Sequence, residues 1–216
     1  MVERASRPHL LLEDLTAGDE QDLVVGRRHD GVAWASPDLT GERLLDRELV
    51  ECVLTEARLD DAVLTGTRLR ECRLDRCAAT TVRFDRADWR EVEVSGGRFG
   101  ALEAYDSDLR RVALSGCRLG HVNLRDSRVT DLTLEGCQVE DLDLAGASVT
   151  RLTVVDCTVR RLLLGAAELV DVDLRGLDVA HLDELAGDRF EGITVAAEQL
   201  VALAPVLASR LGIRVA

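Results

Sequence analysis

The sequence predicts an all-β solenoid: a rod of stacked square coils, each of 20 residues, with an α-helical cap at its C-terminal end. Three observations predict it. Every fifth residue from position 34 to position 179 is apolar, 30 positions in succession. A helix repeats at 3.6 residues and a strand at 2, so neither sustains a period of five. A second column, two residues ahead of the first, is small or apolar, running from Cys52, Ala57 and Ala62 to Val172 and Leu177. Finally, the unusual central residues come in pairs 20 apart, Ala79 with Phe99 and Phe84 with Ala104.

Packing explains each of these. Two inward residues in every five, with Asp, Glu, Arg, Thr, Ser or Gly between them, make the chain turn a corner each pentad. Four corners close a coil. A large side chain needs room at core density and a small one leaves a void, so alanine stacked on phenylalanine is what a 20-residue coil produces. Cys117, Cys137 and Cys157 share one column at the same spacing, as do Cys52 and Cys72. Between Val82 and Val172 the second column alternates large and small, a super-period of ten. About seven and a half coils at a spacing of about 4.8 Å predict a rod about 36 Å long.

The ends of a solenoid expose a core cross-section and strand edges, so both should be capped. Residues 1–31 lack the period, contain Leu10-Leu11-Leu12 and Leu23-Val24-Val25, and are expected to fold over the first coil. Glu42 and Arg47 put charge at the small inward position, which predicts a loose first coil. The repeat region is read as residues 32–182 and the C-terminal cap as residues 183–216. There the five-residue register fails at Glu184, and Leu200, Leu203, Leu207 and Leu211 share one face of a helix over 195–211. Thr194 is the expected N-cap and Gly212 the stop. Pro205 is expected to kink or divide the helix. The helix has two candidate roles. It can plug the last coil, or, with Val201, Ala204 and Ala208 as a second apolar edge, it can form a dimer interface.

No chemistry is legible in the motifs. There is no glycine-rich phosphate loop, no GxSxG and no CxxC, and the four histidines are scattered, so no enzyme, cofactor or metal site is expected. Gly96, Gly116, Gly136 and Gly176 fall in one corner column and read as tight-turn positions. The cysteine columns read as small core residues rather than a redox relay. No run of about 18 apolar residues is present, and no signal-peptide pattern opens the chain. Together with six cysteines, this predicts a cytoplasmic protein with reduced thiols. All 27 basic residues are arginine, and the net charge of −13 argues against nucleic acid or an anionic membrane as a direct partner. Charge is uneven along the chain. Residues 58–98 hold eight acids and nine arginines, whereas residues 131–147 hold five acids and no base. Those five, Asp131, Glu135, Glu140, Asp141 and Asp143, form the candidate partner-binding surface.

Stretches such as Ala57-Arg58-Leu59-Asp60-Asp61, Ala62-Val63-Leu64-Thr65-Gly66 and Cys117-Arg118-Leu119-Gly120-His121 carry a small residue, a polar one, a central Leu and two polar positions. This pattern resembles the pentapeptide-repeat family. The resemblance implies a right-handed quadrilateral β-helix, with wider faces where Val or Leu replaces the small residue. Acidic members that resemble quinolone-resistance proteins imitate B-form DNA and occupy the DNA-binding groove of type II topoisomerases. Some carry a loop that interrupts the register; this chain has none, so the loopless members are the better comparison. In several members a C-terminal helix joins two rods. The resemblance therefore implies a non-enzymatic DNA mimic that binds DNA gyrase or topoisomerase IV, protects it from poisons in antibiotic resistance, and pairs as a homodimer through the C-terminal helix. The alternative is a structural protein–protein scaffold unrelated to topoisomerases. A continuous acidic stripe along the folded rod favours mimicry, and arginines interspersed on every face favour the scaffold.

Overall fold

The computed structural model describes residues 2–181, 184–186, 190–210 and 212. The chain winds as a parallel β-solenoid in which residues 20 apart lie side by side. Phe99 is aligned with Ala79 on one side and Leu119 on the other, and Leu109 lies between Trp89 and Val129. The central residues from Trp34 through Leu164 are all buried and belong to one continuous core.

Each square coil is built from two bent strands. The strand Arg68–Asp75 points Leu69, Cys72 and Leu74 inward and so passes through a corner, and Ala78–Arg83 does the same with Ala79 and Val82. The breaks between strands fall at small residues such as Ala87, Gly97, Ser107 and Cys117. This is the physical meaning of the ten-residue super-period. A large second-column residue fills a wide corner inside a continuous strand, and a small one lets the backbone turn sharply. The sharp turns use the left-handed region, as at Asp106 (φ 55°) and Gly116 (φ 62°), and so do the corners inside the eight-residue strands, as at Arg111 (φ 51°) and Asp131 (φ 60°). Gly96 and Gly136 match this expectation, with φ of 60° and 59°. Gly176 does not. It keeps a negative-φ backbone pressed against the coil below, where an added Cβ would lie 2.3 Å from the Val154 carbonyl oxygen.

The solenoid is longer than the seven or so coils the period predicts. The path through its larger sheet runs from Thr16–Ala17 to Ile193–Thr194 through ten successive strands, about nine turns. At about 4.8 Å each, that is about 43 Å. The additional rungs lie where the apolar period is lost but backbone pairing continues. At the start, Thr16 pairs with Val32 and Arg28 with Glu48. At the end, the 3-10 turn Val179–His181 inserts extra chain, so Leu162 pairs with Leu185 and Val172 with Ile193 instead of partners 20 residues on.

Helix α1 (Glu20–Val25) closes the first coil. Asp19 caps it by accepting from the Gln21 amide at 2.8 Å, Leu23 is buried in the core, and Trp34 Nε1 donates to the Asp19 carbonyl at 3.0 Å. Arg47, the charge at an inward position, donates to the Val24 carbonyl at 2.6 Å and so ties this helix down. The residues before α1 do not simply fold over the first coil, as the sequence suggests. Residues 3–9 run lengthwise along the outside of the rod, meeting Asp171, Thr153, Asp131 and Glu91 in turn.

Helix α2 (Ala197–Arg210) closes the other end as one element that continues through Pro205. The carbonyl that Pro205 leaves without a donor belongs to Val201, which is 76% exposed, so water can take that bond. Thr194 is not the N-cap, because it belongs to the final strand and pairs with Asp173. Leu211 lies outside the described residues.

Candidate partner-binding surface

A stripe along this rod requires acids 20 residues apart. Asp131, Glu135, Glu140, Asp141 and Asp143 are closer than that, so they pass around one coil from corner to corner. Each also meets a cation. Arg151 donates to Asp131 through Nε at 2.7 Å and Nη2 at 2.9 Å, and the Ser6 amide adds a bond at 2.9 Å. The Arg151 guanidinium holds the buried Asp131 carboxyl below the usual carboxylate range. Glu135 pairs with Arg7, Glu140 with Arg160 at 3.5 Å, and Asp141 with Arg161 and with His121 at 3.7 Å. Asp143 is buried, accepts from the Ala145 amide at 3.0 Å and lies 3.6 Å from Arg125.

Arg151, Arg160 and Arg161 each sit one coil beyond the acid they meet. A linear window over 131–147 cannot see them; reading each column at a spacing of 20 would have found them. The same pairing recurs elsewhere, with Arg73 on Glu93 and Arg76 on Glu56, both at 3.0 Å. On another face Arg98 and Arg118 are aligned as like charges. The acidic surplus is therefore broken by arginine on every side of the rod.

The six cysteines are buried and unpaired. Their thiols donate to backbone carbonyls, as Cys137 does to Leu114 at 3.3 Å, and Cys157 Sγ accepts from the Cys137 amide at 3.2 Å. A hydrogen bond with Cys117 and then burial push Cys137 up to about 11, and burial pushes Cys77 to about 11. Such thiols are poor nucleophiles at neutral pH.

The cap helix uses one face on the rod. Leu203 is buried and Leu207 half-buried, and with Leu200 they line an apolar cavity of about 120 Å³ above the last coil. Val201 and Ala204 face outward. The strongest anchor was not anticipated from sequence. The buried Gln199 side chain donates to the Leu174 and Leu177 carbonyls at 2.8 and 2.7 Å and accepts from the Ala196 amide at 2.6 Å. It gives the Leu177 carbonyl a donor and the Leu174 carbonyl a second one beside the Leu177 amide. A glutamine in a leucine-rich helix is the only sequence signal for this.

Among the described residues no group of three His, Cys, Asp or Glu side chains could hold a metal ion, and no helix is long and apolar enough to cross a membrane.

Residues 48–91 match the family model for pentapeptide repeats, in eight copies. No curated protein matches the sequence. Solved structures similar to this chain include trypsin-treated QnrB1, a plasmid-mediated fluoroquinolone resistance protein. It is 18% identical over 93% of this chain and 94% of that one, with a TM-score of 0.41. Another is HetL, a pentapeptide repeat protein involved in heterocyst differentiation regulation from the cyanobacterium Nostoc sp. strain PCC 7120. It is 17% identical over 80% of this chain and 95% of that one, with a TM-score of 0.33.

Proposed function

Because this chain is a pentapeptide-repeat protein, we propose that it acts as a non-enzymatic protein-binding rod, a scaffold whose outward columns dock a protein partner. The observation that carries this is the coil-to-coil pairing of acids with arginines, as in Asp131 with Arg151 and Glu93 with Arg73. The inward columns are committed to packing, so recognition falls to these outward side chains. A mosaic of both charges suits a partner with its own mosaic, and it differs from the uniform polyanion that duplex DNA presents. The six buried, unpaired cysteines support a cytoplasm-like compartment for such a rod, one in which thiols stay reduced. Val201 and Ala204 offer an edge through which two rods can pair.

The net charge of −13 favours a second, narrower reading, in which the partner is DNA gyrase or topoisomerase IV and the rod enters its DNA-binding groove. A gyrase supercoiling assay with and without a fluoroquinolone separates the two. The scaffold reading expects neither inhibition nor protection at micromolar protein. Protection against the drug would replace it with the topoisomerase reading.

A further inference from the structure

We propose that the side of the rod now covered by residues 3–9 is a binding track for an extended, arginine-bearing segment of a partner protein, which displaces the chain's own N-terminus. This rests on the reading of the rod as a protein-binding surface and names the chemistry it recognises.

The track is two adjacent outward columns. One reads Glu91, Arg111, Asp131, Arg151, Asp171 on successive coils, with acid and arginine alternating. Arg151 holds Asp131, and Arg111 holds Glu91. The carboxylates that this leaves on every second coil accept backbone N–H groups: Asp171 from Glu3 at 3.2 Å, Asp131 from Ser6 at 2.9 Å and Glu91 from His9 at 3.0 Å. The bound segment advances three residues for every two coils. Two coils rise about 9.6 Å, and three residues of polyproline-like chain span about 9.3 Å. The two repeats are commensurate, so the match continues along the rod.

The second column reads Ala113, Thr133, Thr153, Asp173, and all four are buried although they point outward. Thr153 Oγ1 accepts from the Ala5 amide at 2.9 Å, and Arg4 reaches Asp173 at 3.9 Å. Arg7 meets Glu135 nearby. Most of these contacts read the backbone, so the track selects an extended segment with arginines three apart more than it selects a sequence.

Two features make the resident segment displaceable. None of residues 2–13 is buried, so it is held by polar contacts at the surface. Its fit is also incomplete. Thr133 Oγ1 is buried beneath it with no partner.

The test uses the full-length chain and a fluorescent peptide of residues 2–13, read by anisotropy. Arg4→Glu with Arg7→Glu loosens the resident segment through two exposed side chains. This variant should bind the peptide at least tenfold more tightly than the wild-type chain does. Adding Asp131→Asn and Asp171→Asn should abolish the gain, with circular dichroism reporting that the rod is intact. A peptide with one glycine inserted between Ser6 and Arg7 should bind at least fivefold more weakly. Equal binding by wild type and the arginine variant, or no binding by either, overturns the proposal. Equal binding of the glycine-inserted peptide overturns the register. The supercoiling assay reads the partner and this one reads the track, so either reading can fail alone.

Discussion

Ala79 and Phe99 sit in register on adjacent coils, an alanine stacked against a phenylalanine in the same column. Phe84 and Ala104 repeat the relationship on the next face in the opposite order, and the Phe84 ring packs edge-on to Trp89 with centroids 5.0 Å apart. Each small residue makes the room its neighbour fills.

Ala79→Phe should therefore destabilise the rod by about 1–3 kcal/mol through overpacking against Phe99. Phe99→Ala should cost about 3–5 kcal/mol through the cavity it leaves. The exchange Ala79→Phe with Phe99→Ala should recover most of both losses, measured by chemical denaturation. Ala104→Phe should behave like Ala79→Phe.

The Asp131–Arg151 pair should give the stability a dependence on acid. The folded-state carboxyl is held below its ordinary value, so its contribution is present at neutral pH and is lost as pH falls through that depressed value. Arg151→Ala leaves a buried carboxylate short of two charged hydrogen bonds and should cost about 1.5–3 kcal/mol at pH 7. The variant's melting temperature should fall less than that of the wild type below about pH 4, read from melting curves across the acid range.

Gln199→Leu should strip the Leu177 carbonyl of this donor, leave the Leu174 carbonyl with the Leu177 amide, and cost about 1–3 kcal/mol. The loss should be local. Amide exchange should accelerate in the last coils and stay unchanged around Trp89.

The six thiols should resist a thiol reagent in the native protein and react together only on unfolding. Rapid titration of Cys137 in the folded chain would contradict the buried ladder.

The core was legible because its rule is local and repeated: a five-residue period, with Ala79 and Phe99 fixing the coil at 20. The surface was not, because its partners lie at that distance. Asp131 looks unopposed until Arg151 is placed beside it one coil on, and the acids of 131–147 then become a neutralised belt. The ends were legible only in part. Leu23 and Leu203 announce caps, but pairing beyond the apolar period follows backbone hydrogen bonds, to which side-chain patterning is blind. Nothing local in Glu3-Arg4-Ala5-Ser6-Arg7 indicates that this stretch lies along the rod. That course becomes readable only once Asp171, Asp131 and Glu91 are stacked two coils apart.

The central claim, that the N-terminal segment lies lengthwise on the track that recognises it, is most directly tested by cross-linking. Ala5→Cys with Thr153→Cys places two thiols beside the 2.9 Å contact between the Ala5 amide and Thr153, while the native cysteines stay buried. Mild oxidation should join this pair within one chain, and Ala5→Cys with Thr55→Cys, near the first coil, should stay open. A bond to position 55 and none to position 153 would mean that the segment folds back over the first coil, and the account of the track would fail.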